Sequence, residues 1–171
     1  KALVTGGARR LGRAMALELA ARGYDVAVHY QGSADEAEDT AAEIRAQGRG
    51  AVALRADLLD WDQTAGLVTA SAEALGGPLN VLVNNASIFE HDTLADASQE
   101  GWERHMGSNL RAPLQLIQAF AAQVRDPEPD AGDGAGALVV NMVDQRVLKL
   151  TPAFMTYTLA KAGLWTLTQT A

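Results

Sequence analysis

The chain contains no cysteine, which excludes disulfide frameworks, thiolate metal sites and a cysteine nucleophile and permits a reducing compartment. It also lacks any apolar run approaching the roughly 20 residues of a membrane-spanning helix, and no signal-peptide pattern opens it; a soluble, cytoplasmic protein is expected. Cations are in the minority, 14 Lys and Arg against 21 Asp and Glu, for a net charge of −7. Such a surface repels phosphate polyanions over most of its area, so nucleic acid is not an expected partner. His29, His91 and His105 stand at spacings that suit no metal site, and no metal is expected. What remains is 171 residues, 48% of them hydrophobic, with 16 glycines, the composition of one α/β domain with a substantial core. The first residue is Lys1, inside the apolar run Ala2-Leu3-Val4 and without an initiator Met, so a clipped start is expected.

Short β-branched apolar runs alternate with longer helical patterns, the signature of βαβ units on a parallel sheet. Strands are expected at Ala2–Thr5, Asp25–Tyr30, Ala51–Ala56, Asn80–Asn84 and Ala137–Val143, several nearly continuous in apolar residues, as when helices cover both faces. Helices are expected at Leu11–Arg22, Ala34–Gln47, Trp61–Leu75, Gln99–Arg125 and Tyr157–Thr170. Leu11, Ala14, Met15, Leu17 and Leu19 fall near one face of the first helix and are expected in the core or an interface, as are Trp102, Met106 and Trp165. Gly76-Gly77-Pro78 reads as a helix stop, and the Pro-, Gly- and Asp-rich segment 126–136 as a surface loop.

Between the first strand and the first helix runs Thr5-Gly6-Gly7-Ala8-Arg9-Arg10-Leu11-Gly12, where backbone N–H groups and the positive helix end can hold a pyrophosphate. An acid that would bond an adenosine ribose 2′-OH is missing at the end of the second strand, which reads His29-Tyr30-Gln31-Gly32-Ser33. With Arg9 and Arg10 nearby, the corner is cationic and NADP(H) is expected over NAD(H). Asp57, followed by Leu58 at the end of the third strand, is expected to cap a helix, to accept from an adenine amino group, or both.

Adding Asn84-Asn85-Ala86 after the fourth strand and Tyr157-Thr-Leu-Ala-Lys161 on the last helix, the chain resembles the short-chain dehydrogenase/reductases from Thr5 onward. The resemblance implies a Rossmann-type doubly wound parallel sheet in a single dinucleotide-binding and catalytic domain. It implies cofactor contacts from Gly6, Arg9, Arg10, Leu11, Gly12, His29, Tyr30, Ser33, Asp57, Leu58, Asn85, Ala86, Ser87, Tyr157 and Lys161. Within the family the chain is most similar to the pteridine reductases. Arg10 stands where most members have a third glycine, His29-Tyr30 closes the second strand, and Asp144 replaces the catalytic serine 13 residues before Tyr157. Phe89 holds the position of an aromatic that stacks on the pterin. The subgroup's expected Arg is absent at Gly32, leaving Arg10, Ser33 and the backbone or ring of His29 to hold the cofactor phosphate.

Tyr157 and Lys161 share a helix face. Moving a phenol from a pKa of about 10 to about 7 takes ~4 kcal/mol, and the Lys161 ammonium is the expected source. The resemblance implies that Lys161 also bonds the nicotinamide ribose, that Tyr157 gives or takes the substrate proton, and that Asn109 organises a proton relay. A carboxylate at Asp144 opposes a developing oxyanion but suits a ring nitrogen, so an NADPH-dependent reductase of a pterin or dihydropteridine C=N bond is expected. The alternatives are a generic 3-oxoacyl or sugar carbonyl reductase and a silent NADP(H)-binding module. Family members run longer than this chain, so a fragment lacking C-terminal strands and a substrate-covering segment is expected. A homo-oligomer, tetramer or dimer, is expected through the helices 99–125 and 157–170.

Overall fold

The computed structural model describes residues 1–123 and 136–171. Five parallel strands, β1 (Ala2–Val4), β2 (Val26–Tyr30), β3 (Ala51–Arg55), β4 (Val81–Asn84) and β5 (Leu138–Asn141), lie in the order β3-β2-β1-β4-β5. Val4 is in register with Val28 on one side and Val83 on the other. Strand order reverses between β1 and β4, and a crevice opens there beyond the carboxyl ends of the strands.

Alternate strand residues point to opposite faces, and each face has its own core. Ala2, Val4, Val26, Val28, Val81 and Val83 meet Ala16 and Ala20 of α1 (Arg10–Ala21) and Ala37 and Ile44 of α2 (Ala34–Ala46). Leu3, Ala27 and Leu82 meet Leu67 and Val68 of α3 (Trp61–Ala74) and Leu116 and Phe120 of α5 (Ala112–Gln123). This double coverage is why the strands read as unbroken apolar runs.

The helices refine the expectations. The fully buried residues of α1 are Gly12, Ala16 and Ala20, and Met15, Leu17 and Leu19 pack against the same core as expected, while Leu11 is 57% exposed and Ala14 is also exposed. The helix expected over 99–125 is α4 (Gln99–Met106), a π turn (Gly107–Arg111) and α5; residues 124 and 125 lie outside the described part. Gly107 lets the wide turn in: a Cβ there would come within 3.0 Å of Leu59 Cδ2. Trp102 and Trp165, expected in the core or an interface, are 43% and 37% exposed on the surfaces of α4 and of α6 (Met155–Thr170), outside the core of this chain.

The α3 stop follows from its glycines. Gly76, at φ +71°, donates its N–H to Glu73 O and Gly77 donates to Ala72 O, a left-handed helix ending. The segment read as a surface loop lies outside the described residues except for Gly136. Among the described residues, no helix is long and apolar enough to cross a membrane.

Candidate active site

The crevice is a cleft of about 690 Å³, lined by Gly6, Arg9, Arg10, Leu11, Gly12, His29, Tyr30, Ser33, Asp57, Leu58, Asn85, Ala86, Ser87 and Phe89. Ala8, Gln31, Gly32, Leu59, Ile88 and Ser108 complete the lining. The glycine loop, the end of β2 and the Asn-Asn-Ala turn therefore meet in this cleft, and Phe89 of its lining touches Tyr157 of the Tyr157-to-Lys161 motif.

At one end the walls are mostly backbone. Gly6 has φ +62°, and a Cβ on Gly12 would overlap the Gly6 carbonyl oxygen and stand 2.6 Å from Asn85 Nδ2. Asn85 locks the loop by donating to Thr5 O (2.8 Å) and Gly6 O (3.2 Å), while Thr5 Oγ1 accepts from the N–H groups of Asn85 and Ala86. Arg10 follows at φ +53°, a left-handed conformation that glycine adopts without steric cost and an arginine does not. A cradle that excludes even a methyl group, at the start of a 12-residue helix, fits a dinucleotide pyrophosphate.

Several of the residues expected to contact the cofactor also have partners within the protein. Arg9 pairs with Glu36 at 3.2 Å, which spends part of its charge and leaves Arg10 as the principal cation of the corner. His29 is buried and serves the loop: Nδ1 accepts from Gly6 N–H (3.0 Å), Nε2 donates to Ala56 O (3.1 Å), and its carbonyl accepts from Gly7 N–H. Both ring nitrogens of His29 are thus engaged within the protein. Burial lowers its pKa to about 4, so the ring is neutral. The cap of α3 is Asp60, which accepts from Asp62 and Gln63; Asp57 instead accepts from Leu59 N–H (2.9 Å).

At the other end the site is made of side chains. Asp144 leaves β5 through a turn that precedes a short 3₁₀ helix (Gln145–Val147), with Oδ1 accepting from Arg146 N–H. Its Oδ2 accepts from the Tyr157 hydroxyl at 3.1 Å. Lys161, one turn along α6, donates to Met142 O at 2.7 Å and lies 5.8 Å from the Tyr157 ring centroid. Asn109, in the π turn, holds Ile88 by both backbone groups, donating to its carbonyl (2.9 Å) and accepting from its N–H (3.0 Å). Phe89 is 53% exposed and meets Tyr157 edge-on at 4.7 Å.

The expected lowering of the Tyr157 pKa is overturned. Burial first, then the charge and hydrogen bond of Asp144, push it up to about 12. The phenol is directed at the carboxylate and Lys161 at a carbonyl, so the phenol is held protonated. Burial pulls Lys161 down to about 8, with Asp144 opposing.

Sequence reasoning missed a buried chain of polar groups behind this end. Asp92 accepts from both the N–H and the hydroxyl of Thr156 and, through its carbonyl, from Phe154 N–H. His105 Nδ1 lies 2.7 Å from Thr156 Oγ1, and Nε2 accepts from Glu90 N–H at 3.1 Å. The Thr156 proton goes to the carboxylate, so His105 Nδ1 is the donor. The chain ties the loop carrying Phe89 to the start of the helix carrying Tyr157. Also missed were Phe154, whose left-handed backbone (φ +59°) lays its ring on Phe89 at 4.2 Å, and Arg146, beside both rings. No spacing in the sequence signals either group. Among the described residues, no cluster of three or more His, Asp or Glu is arranged to hold a metal.

The family model for short chain dehydrogenase matches residues 1–171. This chain belongs to the short-chain dehydrogenase family. The 3-oxoacyl-[acyl-carrier-protein] reductase FabG of Staphylococcus epidermidis is 33% identical over 170 residues, covering 99% of this chain and 66% of that protein. The chain thus spans just under two thirds of the length of that relative. Among solved structures, FolM alternative dihydrofolate reductase 1 from Brucella suis, in complex with NADP, superposes with a TM-score of 0.89 at 40% identity, over 99% of this chain and 67% of that one. A short chain dehydrogenase from Burkholderia cenocepacia, also with NADP, gives 0.89 at 35%, over 99% and 65%. In this short-chain dehydrogenase the glycine cradle, the cation at Arg10 and the absence of an acid after β2 fit a dinucleotide with a 2′-phosphate.

Proposed function

We propose that the protein is an NADPH-dependent reductase of the pteridine reductase type, adding hydride to a ring carbon of a pterin or dihydropteridine and a proton to the adjacent nitrogen. The observation that carries the reading is the Asp144 carboxylate, 3.1 Å from the Tyr157 hydroxyl at the place the family gives to a serine. A carboxylate there disfavours phenolate and opposes a developing alkoxide, as in ketone reduction, but it can accept from ring N–H groups or pass a proton to a ring nitrogen.

NADPH, when bound, supplies the hydride. The backbone of Gly6 to Gly12 holds its pyrophosphate, and Arg10 and Ser33 stand where a 2′-phosphate would lie. Asp57, Leu58, Asn85, Ala86 and Ser87 line its path toward Tyr157 and Lys161. Tyr157, kept protonated, and Asp144 form the donor pair from which a proton reaches nitrogen, while Lys161 supplies the nearby positive charge. Asn109 fixes the Ile88 backbone and with it the approach of Phe89, the platform for a flat ring. The exposed Trp102, Leu114, Leu159 and Trp165 support a homo-oligomer through α4, α5 and α6.

The similarity to a 3-oxoacyl-[acyl-carrier-protein] reductase favours a second reading, reduction of a carbonyl. NADPH oxidation measured with dihydrobiopterin, dihydrofolate and a β-ketoacyl thioester separates the two. Turnover of a dihydropteridine is expected; turnover of the thioester alone would refute the pterin reading.

A further inference from the structure

The turn that carries Asp144 also carries Arg146, a charged side chain that the reaction above leaves without a task. Its guanidinium carbon lies 4.8 Å from the Phe154 ring centroid and 5.7 Å from that of Phe89. The two rings are parallel within 7° and 4.2 Å apart. A cation capping the outer face of Phe154 would be much closer to that ring than to Phe89. The near-equal distances therefore place the guanidinium beside the stack, at its rim.

Nε of Arg146 is buried and has no hydrogen-bond partner among the described residues. Six other arginines of the described residues each pair with a carboxylate; Arg146 does not. The nearest acid in sequence, Asp144, is engaged by the Tyr157 hydroxyl and by the Arg146 main chain. A half-buried guanidinium with unused donors, on a chain of net charge −7, is a local invitation to an anion that the rest of the surface repels. Its planar fork matches a carboxylate in two-point contact. Rings 4.2 Å apart admit no third ring between them, so a flat substrate lies against the part of Phe89 that Phe154 leaves open. A cation at the rim then faces a substituent beyond the edge of the substrate's ring.

We propose that Arg146, with the Phe89–Phe154 pair, forms a subsite for a carboxylate-bearing substituent, so that acidic dihydropteridines are selected over neutral ones. This rests on the reductase reading for its substrate and on Arg146 alone for its selectivity.

The test compares wild type, Arg146→Met and Arg146→Lys, each with NADPH, on dihydrofolate, which carries glutamate carboxylates, and on dihydrobiopterin, which carries none. Arg146→Met is expected to lower the ratio of kcat/KM for dihydrofolate over dihydrobiopterin roughly tenfold or more, chiefly through KM, and Arg146→Lys to retain part of it. A ratio that stays within about twofold overturns the proposal, because a group gripping the ring or merely supporting the fold affects both substrates alike. Binding of p-aminobenzoylglutamate to the NADP-loaded protein gives an independent readout. It is expected to weaken several-fold in Arg146→Met; equal binding by the two proteins overturns the subsite. If neither dihydropteridine is turned over, the reductase reading fails, and the binding measurement still decides the role of Arg146.

Discussion

At the glycine-loop end of the cleft the ligand surface is backbone, held by contacts between Thr5, Gly6, His29 and Asn85. At the other end it is side chains on a turn and a helix, aligned by buried polar groups at His105, Asn109 and Thr156. The difference lies in what each end tolerates. A backbone cradle fails by steric overlap, when a Cβ is added. A side-chain site fails electrostatically, when a buried group loses its partner, and such losses propagate along the chain of bonds.

The sharpest break between the two ends comes from Tyr157→Phe. It removes the proton donor without touching the cradle, so kcat is expected to fall by ~10²–10⁴. Cofactor affinity, measured by fluorescence titration, should stay within about twofold; a parallel loss of both would mean the ends are not separable.

Thr156→Val comes next. It leaves His105 Nδ1–H and an Asp92 oxygen buried without partners, a cost of about 3 kcal/mol in urea unfolding, with a fall in kcat that Thr156→Ser restores. Stability lost with kcat untouched would reduce the polar chain to scaffolding.

His29 tests the cradle by pH. Its folded pKa of about 4 lies below the ordinary 6.5, so the unfolded chain takes up the proton first as pH falls. The stability linked to the neutral ring is intact above about pH 6.5 and is lost as pH falls toward 4, by about 2–3 kcal/mol. The stability difference between wild type and His29→Gln should shrink over that window; a constant difference would show that the ring is not held neutral.

Smallest is Gly12→Ala, where overpacking against Gly6 and Asn85 should weaken NADPH binding by about 2 kcal/mol while the fold, followed by circular dichroism, persists. Unchanged affinity would mean the cradle is not where the pyrophosphate sits.

The same contrast explains what the sequence made legible. The strands, their double coverage and the glycine loop could be read because they depend on local period and on spacing along a few residues. Asp144 could be read because its distance from Tyr157 matches a known register. The polar chain could not: Thr156 meets His105 across 51 residues and Asp92 across 64, and no periodicity encodes such pairings. The π turn was hidden because the helical pattern continues across Gly107–Arg111, and only the backbone pairing of the folded chain reveals it. The direction of the Tyr157 shift was misread because spacing places Lys161 on the same face but does not say which group the hydroxyl addresses.

The most direct measurement is substrate preference in wild type and Asp144→Ser, taken as the ratio of kcat/KM for dihydrobiopterin over a β-ketoacyl thioester. The carboxylate at Asp144 predicts a ratio well above one in wild type that falls, with ketone reduction improving, when serine replaces it. A wild-type ratio below one, or a ratio that the substitution leaves unchanged, would contradict the assignment of Asp144 as the group that sets the chemistry.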